Sequence, residues 1–427
     1  MLARFLANTR GGVAPMMAVV AVPLLVGVGI AVDYSRANAA RAAFQVALDS
    51  TALMLSTKEA QNQSKEALQS EATEKFNALF SRPDVNNVSV TPVFSQDTSG
   101  SKMSLTGTAT VNVNFLGLLG VSQINIGAKT ESLWGNTRLR VALVLDNTGS
   151  MSDAGKIGAL KTATQNLLTQ LKDAATQPED VYVSIVPFVK DVNVGPSNYN
   201  QSWIRWDLWE EVNGKCSNTS YTTKTTCVSH SKVWTPKAHN TWNGCVTDRD
   251  QNYDTTNTAP SGSSTQYPAE QYSSCPTAAV QGLTNDWTKL NNEVTAMSAN
   301  GNTNQAIGLQ LGWQTLTAAP FTVPPVDPNY QYQTAIILLT DGLNTQDRWY
   351  TSASSIDSRQ QKTCDNIKAA GIIVYTVQVN TGNDPTSTLL QHCASDPGKF
   401  FLLTNANQMI TTFGQIGTSL TQLRLAM

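Results

Sequence analysis

Apolar residues in this chain form one long run near the N-terminus, before the pattern becomes mixed. Residues 11–32 contain no charged side chain and are mainly Ala, Val, Leu, Ile and Met. A run of this length is enough to cross the hydrocarbon core of a bilayer as a helix. A cleaved signal peptide has a shorter apolar core, of about 7–15 residues, and ends at an Ala-x-Ala-like site. The pattern therefore favours a retained membrane anchor over a cleaved leader.

Two different patterns follow the apolar run. Residues 33–82 contain no Gly or Pro and are rich in Ala, Leu, Glu, Gln and Lys, which predicts that the helix continues as a stalk. Apolar spacing lapses near residues 57–64, where we expect a bend. Residues 83–137 alternate apolar and polar side chains, which predicts a small antiparallel β segment. The first domain is therefore expected to cover residues 1–82, and the β segment to cover 83–137.

From residue 138 to residue 427, short buried runs alternate with stretches of helical periodicity. The predicted strands lie at 139–145, 181–188, 189–194, 335–340, 372–379 and 399–403. The predicted helices lie at 152–174, 304–317, 357–370 and 405–424. Strands that alternate with helices indicate an α/β fold with a doubly wound sheet.

An insertion at about residues 196–284 interrupts this rhythm and has little periodic apolar content. It contains four of the six cysteines, Cys216, Cys227, Cys245 and Cys275. Two disulfides in one of three connectivities would stabilise such a segment. A zinc site is the alternative, with the ligands Cys227, His230, His239 and Cys245.

Other features of composition bear on the compartment and on this insertion. Cys364 and Cys393 flank a late predicted strand, and we expect them to form a third disulfide. An even cysteine count and a charged fraction of only 14% favour an oxidising, extracytoplasmic compartment. Five of the nine tryptophans lie in the insertion. Tryptophans in a small segment short of aliphatic residues are expected to form its core, with a binding face as the alternative.

The strand predicted at 139–145 ends in a loop of oxygen-bearing side chains. Asp146, Thr148 and Ser150 alternate along the chain, so their oxygens are expected to point the same way. Open α/β sheets bind ligands at the carboxyl ends of their strands. A hard divalent cation prefers such oxygen ligands. The alternative is that Asp146 and Ser150 only cap the helix that follows.

Two further segments complete a resemblance to a known domain. Thr303 lies in a Gly-Asn-Thr-Asn sequence before a predicted helix, and Asp341 directly follows the strand predicted at 335–340. With the first loop, these segments resemble the metal-ion-dependent adhesion site of von Willebrand factor A domains. The resemblance implies the ligands Asp146, Thr148, Ser150, Thr303 and Asp341. It further implies Mg²⁺ or Mn²⁺ as cofactor, with Ca²⁺ as an alternative, and a protein partner that offers a carboxylate.

A second resemblance concerns the N-terminus. Three segments, residues 10–17, 31–41 and 45–53, resemble the N-terminus of TadG-like proteins of Flp/Tad pilus assembly. The resemblance implies an inner-membrane anchor at residues 11–32, a head domain in the periplasm or outside the cell, and a partner from the pilus or secretion machinery. Related pseudopilins carry a Glu five residues after the Gly at which they are cut. Met17 occupies that place here, which favours retention of the anchor.

The remaining motifs narrow the function to binding. The net charge of −2 and the lack of a basic patch argue against nucleic acid. Residues 149–156 resemble a P-loop but have one residue too many and Ile157 where Ser or Thr is needed. Only three histidines are present, and no hydrolase motif is found. We therefore expect that this protein is not an enzyme. A metal-dependent role in pilus assembly or anchoring is favoured, with two alternatives: a surface adhesin, and an enzyme whose chemistry lies in the insertion.

Overall fold

The computed structural model describes residues 13–55, 64–97, 100–134, 137–317, 319–382 and 384–425. The chain divides into two compact units, Met1–Gly135 and Asn136–Ala426. One helix in the described part, at the N-terminus, is long and apolar enough to cross a membrane.

The first unit combines two helices with a three-stranded sheet. Its helices are α1 (Val13–Met54) and α2 (Lys65–Leu79). Its antiparallel strands are β1 (Val85–Asp97), β2 (Gly100–Asn112) and β3 (Gln123–Trp134), in the order β1-β2-β3. The predicted β segment is therefore present, and a short 3₁₀ helix, Leu116–Leu119, lies in the loop between β2 and β3.

Three phenylalanines hold the two helices of this unit together. The Phe44 ring meets Phe76 edge-on at 5.2 Å and Phe80 at 5.0 Å between centroids. Leu68, Ala72 and Phe76 are buried at helical spacing on α2, so one face of this helix packs inward. The helical stalk is thus two packed helices and not one extended rod. The bend predicted near residues 57–64 falls almost entirely outside the described residues.

The second unit is built on a mixed, eight-stranded sheet. Its main strands are β4 (Thr137–Asp146), β5 (Val181–Phe188), β6 (Val192–Asn193), β10 (Cys245–Val246), β12 (Gln281–Thr284), β13 (Gln331–Thr340), β14 (Ile373–Val379) and β15 (Phe400–Leu403). The order is β10-β6-β5-β4-β13-β14-β15, with β12 on β5. Strand β4 is buried along its whole length between its parallel neighbours β5 and β13.

Helices cover both faces of this sheet. The longer ones are α3 (Lys156–Ala174), α6 (Trp287–Ala296), α7 (Gln305–Thr317), α8 (Ala353–Ala369) and α10 (Gln408–Leu425), and a short α9 spans Thr388–Cys393. Leu143 points to a core that contains Leu160 and Phe413, whereas Val144 points to a core that contains Leu311. Successive residues of β4 therefore serve opposite cores, which confirms the predicted doubly wound α/β fold.

Two predicted elements differ from the structure. The helix predicted from residue 152 begins only at Lys156, after a 3₁₀ segment, because Ala154 (φ +50°) and Gly155 (φ +71°) are left-handed and reset the chain direction. Of the strand predicted at 189–194, only Val192–Asn193 is a strand, β6. Phe188 pairs with Val192 across a tight turn, so the chain reverses between β5 and β6. Helix α6, strand β12 and helix α9 were not predicted.

The insertion is held by disulfides, tryptophans and one buried arginine. Its short elements are β7 (Ile204–Arg205), α4 (Asp207–Val212), β8 (Gly214–Cys216), α5 (Lys224–Ser229), β9 (Trp234–Pro236) and β11 (Tyr267–Pro268). The disulfides are Cys216–Cys227 and Cys245–Cys275, with Cys364–Cys393 elsewhere in the unit. All three confirm the prediction, and the zinc alternative fails because its two cysteines are bonded in these pairs.

The tryptophans of the insertion pack inward. Trp209 and Trp242 are buried in the core that also contains Val144, and Trp206 meets both edge-on at 5.4 Å. Arg249 is fully buried and donates to four backbone carbonyls, those of Tyr253, Thr256, Thr258 and Thr265. One guanidinium thus organises a stretch that has little regular structure of its own.

Candidate metal centre

Asp146 lies buried at the carboxyl end of the central strand β4. One carboxylate oxygen accepts the Thr148 N–H at 2.7 Å. The other accepts the hydroxyl of Thr340, the last residue of β13, at 2.6 Å. Because β4 and β13 are parallel neighbours, their ends meet at one edge of the sheet. Asp146 is therefore fixed from both strands.

Three further predicted ligands join this group. Thr148 Oγ1 and Ser150 Oγ lie 3.2 Å apart, and the Ser150 hydroxyl donates to Asp341 Oδ1 at 2.7 Å. Asp341 directly follows β13. The structure thus links Asp146, Thr148, Ser150 and Asp341 through hydrogen bonds among themselves and with Thr340.

Thr303 lies on the neighbouring loop and reaches the group through backbone contacts. The Gly149 N–H donates to the Gly301 carbonyl at 2.9 Å, which places the second loop directly against the first. The Thr303 N–H donates to the Thr345 hydroxyl at 2.8 Å, and Thr303 itself is buried. The loop that contains Thr303 is thus held by the first loop on one side and by the segment after Asp341 on the other.

A glycine is required where this second loop turns. Gly301 has a φ of +79°, and a Cβ built there would lie 2.9 Å from Ser274 Cβ and 3.0 Å from the Tyr272 hydroxyl oxygen. The same Tyr272 hydroxyl accepts the Asn302 N–H at 3.1 Å. Ser274 and Tyr272 belong to the insertion, which therefore supports the loop that carries Thr303.

Lys156 is a member of the site that sequence reasoning missed. Its ammonium group donates to Asp341 Oδ2 at 2.5 Å, and its side chain is only 8% exposed. Lys156 opens helix α3 directly after the left-handed Gly155. The only signal in the sequence was a lysine six residues after Ser150. The direction of its side chain depends on the left-handed turn that precedes it.

The two carboxylates of the site, Asp146 and Asp341, need a positive charge close by. Burial, and then the negative charge of Asp341, raise the pKa of Asp146 to about 6, although hydrogen bonds from Thr148 and Thr340 oppose the shift. Two carboxylates at one buried edge are costly unless a cation lies between or beside them. Lys156 supplies one such charge to Asp341.

The donor set fits a hard divalent cation. Carboxylate and hydroxyl oxygens are the ligands that Mg²⁺, Mn²⁺ and Ca²⁺ take, and no sulfur or imidazole lies among the five predicted residues. In the described part of the chain, no group of three or more His, Cys, Asp and Glu side chains is placed to hold a metal. A site here therefore depends on the hydroxyls of Thr148, Ser150 and Thr303 as well as on the two carboxylates.

Comparison with protein families gives two matches. Residues 11–54 match the family described as putative Flp pilus-assembly TadE/G-like. Residues 254–415 match the von Willebrand factor type A domain, a range that includes Thr303 and Asp341 and begins after the loop of Asp146. A search of the curated proteins returns no match.

Comparison with solved structures gives matches at low identity. The pilus adhesin SpaC from Lactobacillus rhamnosus GG is 14% identical with a TM-score of 0.38, and the match covers 81% of this chain and 36% of that one. The vWF domain of the type V pili tip protein Mfa5 from Porphyromonas gingivalis is 10% identical, with a TM-score of 0.38 and coverages of 69% and 98%.

A third structure, proximal thread matrix protein 1 from the mussel byssus with a zinc-occupied MIDAS motif, is 11% identical, with a TM-score of 0.32 and coverages of 68% and 46%. The chain thus spans about a third of SpaC and under half of the mussel protein. The two family matches concern only their matched segments. The chain carries a TadE/G-like N-terminal segment and a von Willebrand factor type A domain.

Proposed function

We propose that this protein is anchored in the bacterial inner membrane and that its head domain binds a partner carboxylate through a divalent cation during Flp-type pilus assembly or anchoring. The observation that carries the proposal is the convergence of Asp146, Thr148, Ser150 and Asp341 at the sheet edge, in a chain whose N-terminus matches TadE/G-like proteins. Binding, and not catalysis, is the proposed activity.

The surface of α1 supports the anchor. Large apolar side chains along its first half are exposed, for example Val19 at 74%, Leu25 at 69% and Val28 at 62%. Only 11% of the most apolar window is buried within the protein. A helix that is apolar all round and uncovered by protein matches a lipid environment.

The disulfides support an extracytoplasmic head. All six cysteines are paired, and such bonds persist in the periplasm or at the cell surface and are rare in the cytoplasm. With residues 11–32 as the span, the N-terminus then lies in the cytoplasm and residues 33–427 lie outside it.

Each residue of the site has a defined task in partner binding. Asp146 and Asp341 supply the negative charge that would hold a Mg²⁺ or Mn²⁺ ion, with Ca²⁺ as the alternative. Thr148, Ser150 and Thr303 supply neutral oxygens, which neutralise little of the ion's charge. When bound, the ion supplies an electrophilic centre for a carboxylate oxygen of the partner. The hydrogen bonds from Thr340 and the Thr148 N–H keep Asp146 in place for this task.

Piliation of cells that produce Asp146→Ala or Asp341→Ala protein tests the proposal. We expect no Flp-type pili by electron microscopy, while an immunoblot shows normal amounts of membrane-inserted protein. Asp153→Ala is the matched control, because Asp153 is an exposed carboxylate of the same loop. Normal piliation at normal abundance would contradict the assembly role. Normal pili that no longer attach would instead favour the surface adhesin.

A further inference from the structure

The loop between β2 and β3, residues 113–122, is fixed to helix α1 by one carboxylate. Asp33 is buried and accepts three successive backbone N–H groups. Asn114 donates to Oδ1 at 3.1 Å, and Phe115 and Leu116 donate to Oδ2 at 2.7 and 2.8 Å. The carboxylate thus caps the start of the 3₁₀ helix Leu116–Leu119. The height of this loop along α1 is therefore set at Asp33.

Phe115 lies against α1 one turn before Asp33, towards the N-terminus. A Cβ built on Gly29 would lie only 2.5 Å from Phe115 Cγ, so the ring rests directly on the helix backbone and glycine is required there. Leu25, Val28 and Val32 line an open apolar pocket together with this ring. Phe115 remains 42% exposed, so an apolar surface of helix and ring together faces outward.

The depth of this contact follows from helix geometry. With a rise of about 1.5 Å per residue, Gly29 lies roughly 6 Å deeper than Asp33 along α1. Residues 11–32 are the proposed membrane span, so Gly29 and Val28 lie inside its outer end. A ring that touches Gly29 must then lie at the depth of the acyl chains.

The rest of the loop tip has the same character. Residues 115–121, which we call the apolar tip, read Phe-Leu-Gly-Leu-Leu-Gly-Val and contain no charged or polar side chain. Leu119 is 59% exposed and Val121 is 43% exposed. In a loop that faced water, such a run would have no reason to be uniformly apolar.

Five backbone N–H groups of the loop are hydrogen-bonded within the protein. The N–H groups of residues 114–116 are taken by Asp33. Within the loop, Gly120 N–H donates to the Gly117 carbonyl at 3.1 Å and Val121 N–H to the Leu116 carbonyl at 3.2 Å. Unpaired backbone groups are what normally keep loops out of hydrocarbon, and these five are paired.

We infer that the apolar tip inserts into the outer leaflet of the membrane beside α1, so that the first unit contacts the bilayer at two points. This inference rests on the proposed anchoring by α1. The ligand is the acyl-chain region of the bilayer, chosen because the tip is continuous with the lipid-facing surface of Leu25 and Val28. A second contact restrains the rotation of the unit about the axis of α1, which a single helix cannot do.

A spin label at the tip tests the insertion. Full-length protein with Leu119→Cys, labelled with a nitroxide and reconstituted into phosphatidylcholine–phosphatidylglycerol vesicles, is compared with Val93→Cys. Val93 is 52% exposed on β1 and serves as the matched control. We expect the ratio of collision rates with oxygen and with a nickel chelate to be severalfold higher at residue 119, because oxygen concentrates in hydrocarbon and the chelate stays in water.

Flotation of the vesicles separates the two ways in which this test can fail. Protein that floats with the vesicles but gives the same water-like ratio at residues 119 and 93 overturns the insertion and leaves the anchor intact. Protein that does not float overturns the anchor, and the insertion falls with it. A second label at Val121→Cys repeats the measurement at another exposed position of the tip, and water-like ratios at both tip positions would exclude a local effect of one substitution.

Discussion

Lys156 gives the candidate metal centre an internal positive charge. Its ammonium group lies 2.5 Å from Asp341 Oδ2, on a carboxylate that the resemblance to von Willebrand A domains assigns to the metal. A lysine ammonium and a divalent cation compete for the same charge. Metal affinity in this protein should therefore depend on a residue that donates no oxygen.

Replacing Lys156 by Met tests this competition. We expect Mg²⁺ affinity to rise severalfold, because Asp341 is then free for the ion. Without metal the variant should be less stable, by about 3 kcal/mol if the loss resembles that of other broken buried pairs. Calorimetric titration and thermal unfolding with and without Mg²⁺ measure both effects. Lys172→Met, at an exposed position of the same helix, should leave both unchanged, and weaker Mg²⁺ binding by Lys156→Met would show that the lysine assists the ion.

Asp146→Ala addresses the metal itself. We expect Mg²⁺ and Mn²⁺ binding by the detergent-solubilised full-length protein to be lost, since this carboxylate is fixed by β13 as well as by its own loop. Isothermal titration of wild type, Asp146→Ala and Asp153→Ala measures it. If Asp146 only satisfies N–H groups, the variant loses about 0.5–2 kcal/mol of stability and all three titrations coincide.

At the scale of residues, the sequence could place the side chains that directly follow a buried strand. Asp146, Thr148 and Ser150 follow a buried strand directly, and Asp341 follows another, so their shared edge could be inferred from strand direction. Lys156 could not be placed, because its approach to Asp341 depends on the left-handed turn at Ala154 and Gly155. The ligand role of all five predicted residues is still a prediction.

At the scale of elements, the segment that follows β10 places two aspartates in opposite environments. Burial, and then the negative charge of Asp347, raise the pKa of Asp248 to about 7. Hydrogen bonds from Arg205 and Arg348 lower the pKa of Asp250 to about 2 despite its partial burial. Asp248 accepts a hydrogen bond from Asn304 at 2.8 Å, so this segment is coupled to the start of α7.

The two aspartates should impose opposite pH dependences on stability. A raised carboxyl pKa favours the protonated folded state, so Asp248 costs stability as pH rises from about 4 through 7. A lowered pKa contributes stability above about 4 that is lost as pH falls towards 2. We expect Asp248→Asn to flatten the upper range and Asp250→Asn to flatten the lower one. Thermal unfolding in EDTA, measured from about pH 2.5 to about pH 8 so that both pKa ranges are covered, checks this. Stability profiles of the two variants that match the wild-type profile would contradict it.

A strand could be predicted from the sequence where one continuous run of buried apolar residues formed it. Strands β4 and β13 have parallel partners on both sides, and β5 is parallel to β4 and antiparallel to β6 and β12. All three are long and largely buried, which leaves a plain apolar signal in the sequence. The strand predicted at 189–194 was too long, because the chain reverses in a turn between Phe188 and Val192 and only Val192–Asn193 pairs. The two- and three-residue strands of the insertion exist only through their partners, so no local pattern could reveal them.

At the scale of the whole molecule, composition indicated the classes of segment but not their packing. The pattern of residues 33–82 predicts helix, and within the described residues helices cover positions up to Met54 and Lys65–Leu79. Whether they form a rod or a pair was decided by Phe44, Phe76 and Phe80, and aromatic contacts of this kind leave no periodic signature. The position of the apolar tip could not be predicted from the sequence for the same reason, since it depends on contacts with Gly29 and Asp33.

The pairing of the cysteines has a consequence for biogenesis. The three disulfides join each cysteine to the next one along the chain, with separations of 11, 30 and 29 residues. A head exported from its N-terminal end exposes them in that order. An oxidase that joins each new thiol to the last unpaired one would then produce this pattern, one of 15 that six cysteines allow. Maturation of the head would require oxidation during export, and no isomerase to correct it afterwards.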